Sequence, residues 1–170
     1  MLRIFLPVTA PPTNLVVREL RPADALAFAR CLVLDAELFP YPSIPDCPAV
    51  GGRTWVASSA VPDAVDGFLA SAASSGVRYL HGLAVAPAAR RRGIARALLC
   101  ACVKDARERR LRAIALHVGA GNRPAVDLYT SEGFAVRRVV PNFYRPGVYP
   151  VADAFEMVLP LHRPTPERRP

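Results

Sequence analysis

Apolar and polar positions along the chain fall into blocks whose period switches between two and about 3.6 residues, the repeats of strand and helix. Residues 14–20 (Asn-Leu-Val-Val-Arg-Glu-Leu) alternate as a strand does. From Asp24 to Leu38 the apolar residues recur at helical spacing, with Asp24 as N-cap and Pro40 and Pro42 ending the run. Residues 40–53 hold four prolines and the pair Gly51-Gly52, which predicts a loop. Thr54–Ala60 and Val65–Ala73 read as a hairpin turning at Pro62-Asp63, and Val77–Val85 as the next strand of the meander. A helix is expected from about Gly93 to Arg110. Ala113–Val118 is apolar but too short for a helix, so it suits a buried strand. Asn122–Glu132 predicts a short helix closed by Gly133, and Ala135–Val140 and Ala154–Leu161 two final strands. The order β-α-β-β-β-α-β-α-β-β combines a meander with a strand–helix–strand crossover. It predicts an α/β fold: a mixed central sheet flanked by helices.

At 170 residues the chain is long enough for one domain with a real core. The expected organisation is a leader over 1–12, a domain over 13–161 and a flexible tail over 162–170. No apolar run reaches the roughly 18 residues of a membrane-spanning helix. The apolar stretch Met1–Val8 is short and broken by Pro7, so it reads as a leader rather than a cleaved signal. Cys31, Cys47, Cys100 and Cys102 form no Cys-x-x-Cys pair, and Cys100 and Cys102 point to different faces of a helix. Neither a metal site nor a disulfide framework is expected, and reduced cysteines fit a cytoplasmic protein. The formal net charge is +8, and every basic residue except Lys104 is arginine. Such a chain attracts anions. It lacks the aromatic-interleaved basic module of a nucleic-acid binder, so no nucleic acid is expected as partner.

The most specific segment runs from Val85 to Leu99: Val-Ala-Pro-Ala-Ala-Arg-Arg-Arg-Gly-Ile-Ala-Arg-Ala-Leu-Leu. A strand ends, a short loop turns and a helix begins. The first turn of a helix presents unpaired N–H groups and the positive end of its dipole, a ready anion site. Gly93 and Ala95 leave room for a pyrophosphate against the backbone, and Arg90, Arg91 and Arg92 add charge. The plain alternative is a helix with a basic first turn, an unfavourable arrangement that a bound anion would relieve.

The segment resembles the acetyl-CoA loop of the GNAT (Gcn5-related) N-acetyltransferase superfamily, Arg/Gln-x-x-Gly-x-Gly/Ala, here Arg90-x-x-Gly93-x-Ala95. A second block, Asn122-Arg-Pro-Ala-Val-Asp-Leu-Tyr129-Thr-Ser-Glu-Gly133-Phe134, resembles the next part of that family. A narrower likeness is to the protein N-terminal acetyltransferases, among them the bacterial enzymes acting on ribosomal-protein N-termini. It is carried by Leu116-His117-Val118, Asn142-Phe143-Tyr144, Ala152-Asp153-Ala154, Met157–Leu161 and Leu38-Phe39-Pro40. Those relatives have Asn-Tyr-Tyr where this chain has Asn142-Phe143-Tyr144, and a different loop at 41–48.

The resemblance implies acetyl-CoA as co-substrate. It implies contacts from Leu83, Ala84 and Val85, from Arg90, Arg91, Arg92, Gly93, Ile94, Ala95 and Arg96, and from Asn122 and Tyr129. It places Tyr129 beside the cofactor sulfur as general acid and His117 as general base, with Tyr79 assisting through water. Phe39, Pro40 and Tyr144 fall at the peptide. The residue types suit these tasks: an imidazole titrating near ~6.5 accepts a proton at neutral pH, and a phenol near ~10 returns one to a thiolate. The plain alternatives are a core histidine for His117 and a packing aromatic for Tyr129. His81, two residues from Tyr79, would share its strand face and reads as a packing or cleft residue with no assigned role. The function expected is acetyl transfer to a primary amine, the α-amine of a polypeptide first, by a monomer or homodimer without a metal. A small-amine acetyltransferase, a non-catalytic acyl-CoA sensor and a basic nucleic-acid binder are the competing readings.

Overall fold

Each predicted element forms, and seven of them are strands of a single sheet. In chain order they are β1 (Val16–Glu19), α1 (Ala25–Leu38), β2 (Gly52–Ser58), β3 (Gly67–Ser74), β4 (Val77–Val85), a 3-10 turn (Pro87–Ala89), α2 (Ile94–Glu108), β5 (Ala113–Gly119), α3 (Arg123–Ser131), β6 (Ala135–Val140) and β7 (Ala154–Pro160). The structure, a computed structural model, describes residues 14–21, 23–40, 52–59, 64–145, 147 and 150–161. The leader, the tail, the Pro62-Asp63 turn and most of the 40–53 loop with Cys47 lie outside the described residues.

The sheet order is β1-β2-β3-β4-β5-β7-β6, antiparallel everywhere except β4–β5. α2 is the crossover between those two parallel strands, as a parallel pair requires. Its apolar side, Ile94, Leu98, Leu99, Cys102 and Ala106, packs on Leu69, Leu80, Ile114, Leu116 and Met157, and Tyr129 and Phe134 join the same core. On the other face α1 contributes Cys31 and Leu34 against Val56, Phe68, Ala70 and Ala84. The fold is thus helix–sheet–helix; α2 buries its apolar side, while α1 buries Cys31 and Leu34 and leaves Leu26, Leu32 and Val33 exposed.

Three local expectations are corrected. β2 begins at Gly52, inside the stretch expected to be loop, because Gly52 and Arg53 find ladder partners in Ala72 and Ser71. Asp24 occupies the N-cap position of α1 but makes no side-chain cap bond. Its carboxylate instead accepts from the Arg21 N–H (2.7 Å) and from Arg18 (2.5 Å). Gly93 is not the first residue of α2 but its N-cap, at φ 76°. Cys100 and Cys102 fall on different faces of α2, as expected, with Cys102 buried and Cys100 exposed.

Among the described residues, one charge is wholly inside. Arg78 of β4 is 0% exposed, donates to Ser71 Oγ (3.1 Å) and Asp105 Oδ2 (2.5 Å), and lies over the Trp55 ring at 5.4 Å. Arg53 also pairs with Asp105, at 3.4 Å. A buried guanidinium is tolerable only when paired in this way, and the pair ties α2 to the sheet.

Candidate active site

β4 and β5 pair over four residues only, from Val77↔Ala113 to Leu80↔Leu116. Beyond that level β4 stays with β3 while β5 stays with β7 through Gly119↔Ala154. The register of β3 with β4 slips where Ala70 faces Gly82 and Ser71 faces Leu80, so His81 is the extra residue of a bulge. A bulge bends its strand and increases the local twist. The two parallel strands part at this point, and a notch opens between them.

Two clefts meet in the notch. The larger, about 950 Å³, is lined by Leu83, Ala84, Val85, Arg90, Arg91, Gly93, Ile94, Ala95 and Arg96 from the β4–α2 side. Asn122, Ala125, Leu128, Tyr129 and Ser131 line it from α3. Its geometry suits a phosphate-bearing ligand. Gly93 takes a left-handed φ that side-chain-bearing residues rarely adopt, and α2 starts without a side-chain cap on its first N–H groups. Arg90 donates to the Val85 carbonyl at 3.2 Å. Arg96 is held by Glu132 and by Ser131 Oγ (3.2 Å), which joins the start of α2 to the end of α3. Asn122 is the N-cap of α3, accepting from the Ala125 N–H at 3.3 Å. These residues fit the pyrophosphate and pantetheine arm of coenzyme A.

The second cleft, about 470 Å³, is lined by His81, Gly82, His117, Asn122, Tyr129, Phe143 and Tyr144, with Phe39, Pro40 and Val151 at its rim. Phe39, Leu83, Asn122, Ala125 and Tyr129 belong to both clefts. The Phe143 ring stacks on His117 at 4.5 Å and 15°, and Tyr144 meets Phe143 edge-on at 5.0 Å. Partial desolvation by the cleft walls holds the largely exposed His117 imidazole below its usual value, Glu156 opposing and Arg138 reinforcing the shift. Burial also lowers His81. Tyr129 is 8% exposed, and burial pushes its phenol well above the usual range. The notch therefore holds neutral imidazoles able to accept a proton and a phenol that keeps its own.

Of the residues singled out from the sequence, the structure gathers His117, Tyr129, Asn122, Phe39, Pro40, Tyr144 and the strand–loop–helix segment around the two clefts. Tyr79 and Arg92 line neither. Tyr79 pairs with Ala115, on the sheet face of His117 but two positions away, and is 43% exposed. His81 lines the cleft through a bulge that plain alternation does not reveal; a histidine on the strand before the anion loop was the available signal. Glu156, directly across the β5–β7 ladder from His117, went unnoticed because a strand partner cannot be read from one strand alone. Among the described residues no group of histidine, cysteine or carboxylate side chains could hold a metal ion.

Residues 40–134 match the Acetyltransferase (GNAT) family. No curated protein matches the sequence. Among solved structures, the ribosomal-protein-S18-alanine N-acetyltransferase from Escherichia coli superposes with a TM-score of 0.73 at 20% identity, covering 91% of this chain and 99% of that one. Arabidopsis thaliana NAA60 in complex with acetyl-CoA gives 0.69 at 23%, covering 86% and 98%. Nourseothricin acetyltransferase gives 0.67 at 24%, covering 88% and 100%. These likenesses show a shared fold. With the family match spanning more than half of the sequence, and the anion loop and notch in place, the chain belongs to the GNAT family of acetyl-CoA-dependent N-acetyltransferases.

Proposed function

We propose that the protein transfers acetyl from acetyl-CoA to the α-amine of a polypeptide, by direct attack while both substrates are bound. The observation that carries this reading is the meeting of the two clefts at Leu83, Asn122 and Tyr129. Acetyl-CoA, held along β4 and at the start of α2, supplies an activated thioester. A backbone N–H of the Leu83–Val85 stretch, on the side where β4 has left β5, is available to polarise its carbonyl. His117 takes the proton that the amine loses as its bond to the acetyl carbon forms. Tyr129 Oη–H gives a proton to the sulfur as the C–S bond breaks, so the proton count balances. Tyr79 serves only as a distant, water-linked assistant.

The acceptor class follows from proton affinity and shape. An α-amine titrates near ~8 and lysine near ~10.4, so a histidine held low is the better match for the first. Phe39, Pro40, Phe143 and Tyr144 give the cleft an apolar and aromatic wall suited to a first side chain, and its described walls carry no carboxylate to pair with the second ammonium of a polyamine. The S18-alanine enzyme that shares the fold acts on a protein α-amine, whereas the nourseothricin enzyme represents the small-molecule alternative. We place the reaction in the cytoplasm. The thiols of Cys31 and Cys102, pushed up to about 12 by burial, are inert there, and no described helix is long and apolar enough to cross a membrane. The test compares steady-state rates on short peptides, on the same peptides with blocked N-termini and a free lysine, and on polyamines and single amino acids. Free peptides are expected to be acetylated fastest. Equal or better rates on the others move the assignment to lysine or to small amines, and acetyl-CoA binding without turnover moves it to an acyl-CoA sensor.

A further inference from the structure

Glu156 is a charged residue in an apolar strand, 8% exposed between Phe155 and Met157. It lies directly opposite His117 in the antiparallel β5–β7 ladder. Opposed side chains in such a pair share a face, with Cβ atoms about 4.5–5.5 Å apart. Both carboxylate oxygens are engaged on the far side: Arg138 Nε donates to Oε2 at 2.5 Å and Arg137 Nη1 to Oε1 at 3.2 Å. Two successive arginines reach one carboxylate because the β6–β7 register slips between Val136 and Arg138. Other groups near the imidazole are uncharged: Phe143 stacked on it, Tyr144, and on β4 Tyr79 and the neutral His81. Asp153, beside the same turn, is taken up by the Asn142 N–H at 2.9 Å.

We infer that Glu156 is a positioning residue for His117: clamped by Arg137 and Arg138, its carboxylate faces the imidazole across the ladder and stabilises the charge that appears there when a proton is taken from the acceptor. Without it, the Arg138 guanidinium would be left on that side of the ring and oppose that charge. The electrostatics agree, since Glu156 raises the proton affinity of His117 by more than Arg138 lowers it. Conversely, Arg138 foremost, with Arg137 and His117, holds the Glu156 carboxyl below its ordinary value, so it stays ionised. The inference rests on His117 being the base of the proposed reaction. If the carboxylate only fastened β6 to β7, its loss would lower stability and leave the imidazole untouched.

The experiment titrates the histidine ring signals of the full chain by NMR, with His117→Ala assigning the signal, and measures kcat/KM against pH for the same variants. Glu156→Gln should move the His117 midpoint down by about 0.5 pH unit or more, from a unit charge at ~6 Å in water-like screening. Glu156→Asp should recover part of the shift. Arg138→Gln, which leaves the carboxylate in place, should move the midpoint up and supplies the opposite sign if the first variant does not fold. The acid limb of kcat/KM should follow these movements while acetyl-CoA KM stays constant. An unchanged midpoint in both Glu156→Gln and Arg138→Gln overturns the inference. An acid limb that persists in His117→Ala overturns the base assignment instead, and the NMR shifts distinguish that failure from the first.

Discussion

In the proposed reaction a buried phenol and a solvent-facing imidazole, sharing one cleft, divide the proton work between them. Tyr129 is pushed up by burial, with Tyr144 adding to the effect, so it is a donor throughout the working range and never a base. Replacing it with Phe removes one hydroxyl and little else. Turnover should fall by about 10²–10⁴-fold with acetyl-CoA affinity unchanged, read from kcat at saturating substrate beside a binding titration. His117 is held below its usual value, so it is neutral near pH 7 and loses its capacity as a base only as the pH falls through that lowered value. The deficit of His117→Ala should therefore be largest near neutrality. It should shrink as the pH rises past ~8, where an α-amine is already deprotonated. A pH–rate profile of both proteins checks this. These two residues were legible in the sequence because each lies in a block that resembles the family and has a side chain whose ordinary titration range suits the task. Glu156 and His81 were not. The relevance of Glu156 depends on which residue of another strand lies opposite, and that of His81 on a bulge, and neither leaves a mark on the local pattern.

The elements themselves followed from periodicity almost completely, while their ends were decided by partners. β2 started early because β3 was there to pair with it, and the 3-10 turn at Pro87–Ala89 has no apolar period to announce it. The start of α2 was legible to within one residue from the glycine that follows the arginine loop, and the structure makes Gly93 the N-cap, at φ 76°, of a helix whose first donors face a cleft. Gly93→Glu places a negative side chain against that anion site. The stabilisation that acetyl-CoA gives the natural chain, about 2.7 kcal/mol at 100 times its Kd, should be absent in a thermal-shift series. At the other end of α2, Asp105 is the counter-charge of the buried Arg78. Asp105→Ala leaves that guanidinium without its ion pair and should cost about 3–5 kcal/mol, measured by urea unfolding. The double replacement Arg78→Met with Asp105→Ala should restore part of the loss, since neither change then leaves a charge stranded.

For the whole molecule, the mixed sheet and its helical layers were predictable from the order of elements, because a meander followed by one crossover leaves few arrangements open. The parting of β4 from β5 was not predictable, since both strands read as ordinary buried runs. That parting divides the molecule into an N-terminal half-sheet, β1 to β4, and a C-terminal one, β5 to β7, zipped together by a parallel ladder of four residue pairs. A ladder this short is a weak seam, and α2 bridges it from one side only. Any ligand lodged in the notch touches both halves, so it works as a brace as well as a reactant. Acetyl-CoA should consequently slow amide hydrogen exchange in β5 and α3 together with β4 and the start of α2. Protection confined to residues 90–96 would show that the halves are already rigidly joined without it. Release of coenzyme A would then loosen the seam at the moment the acetylated product must leave, coupling product departure to the breathing of the sheet.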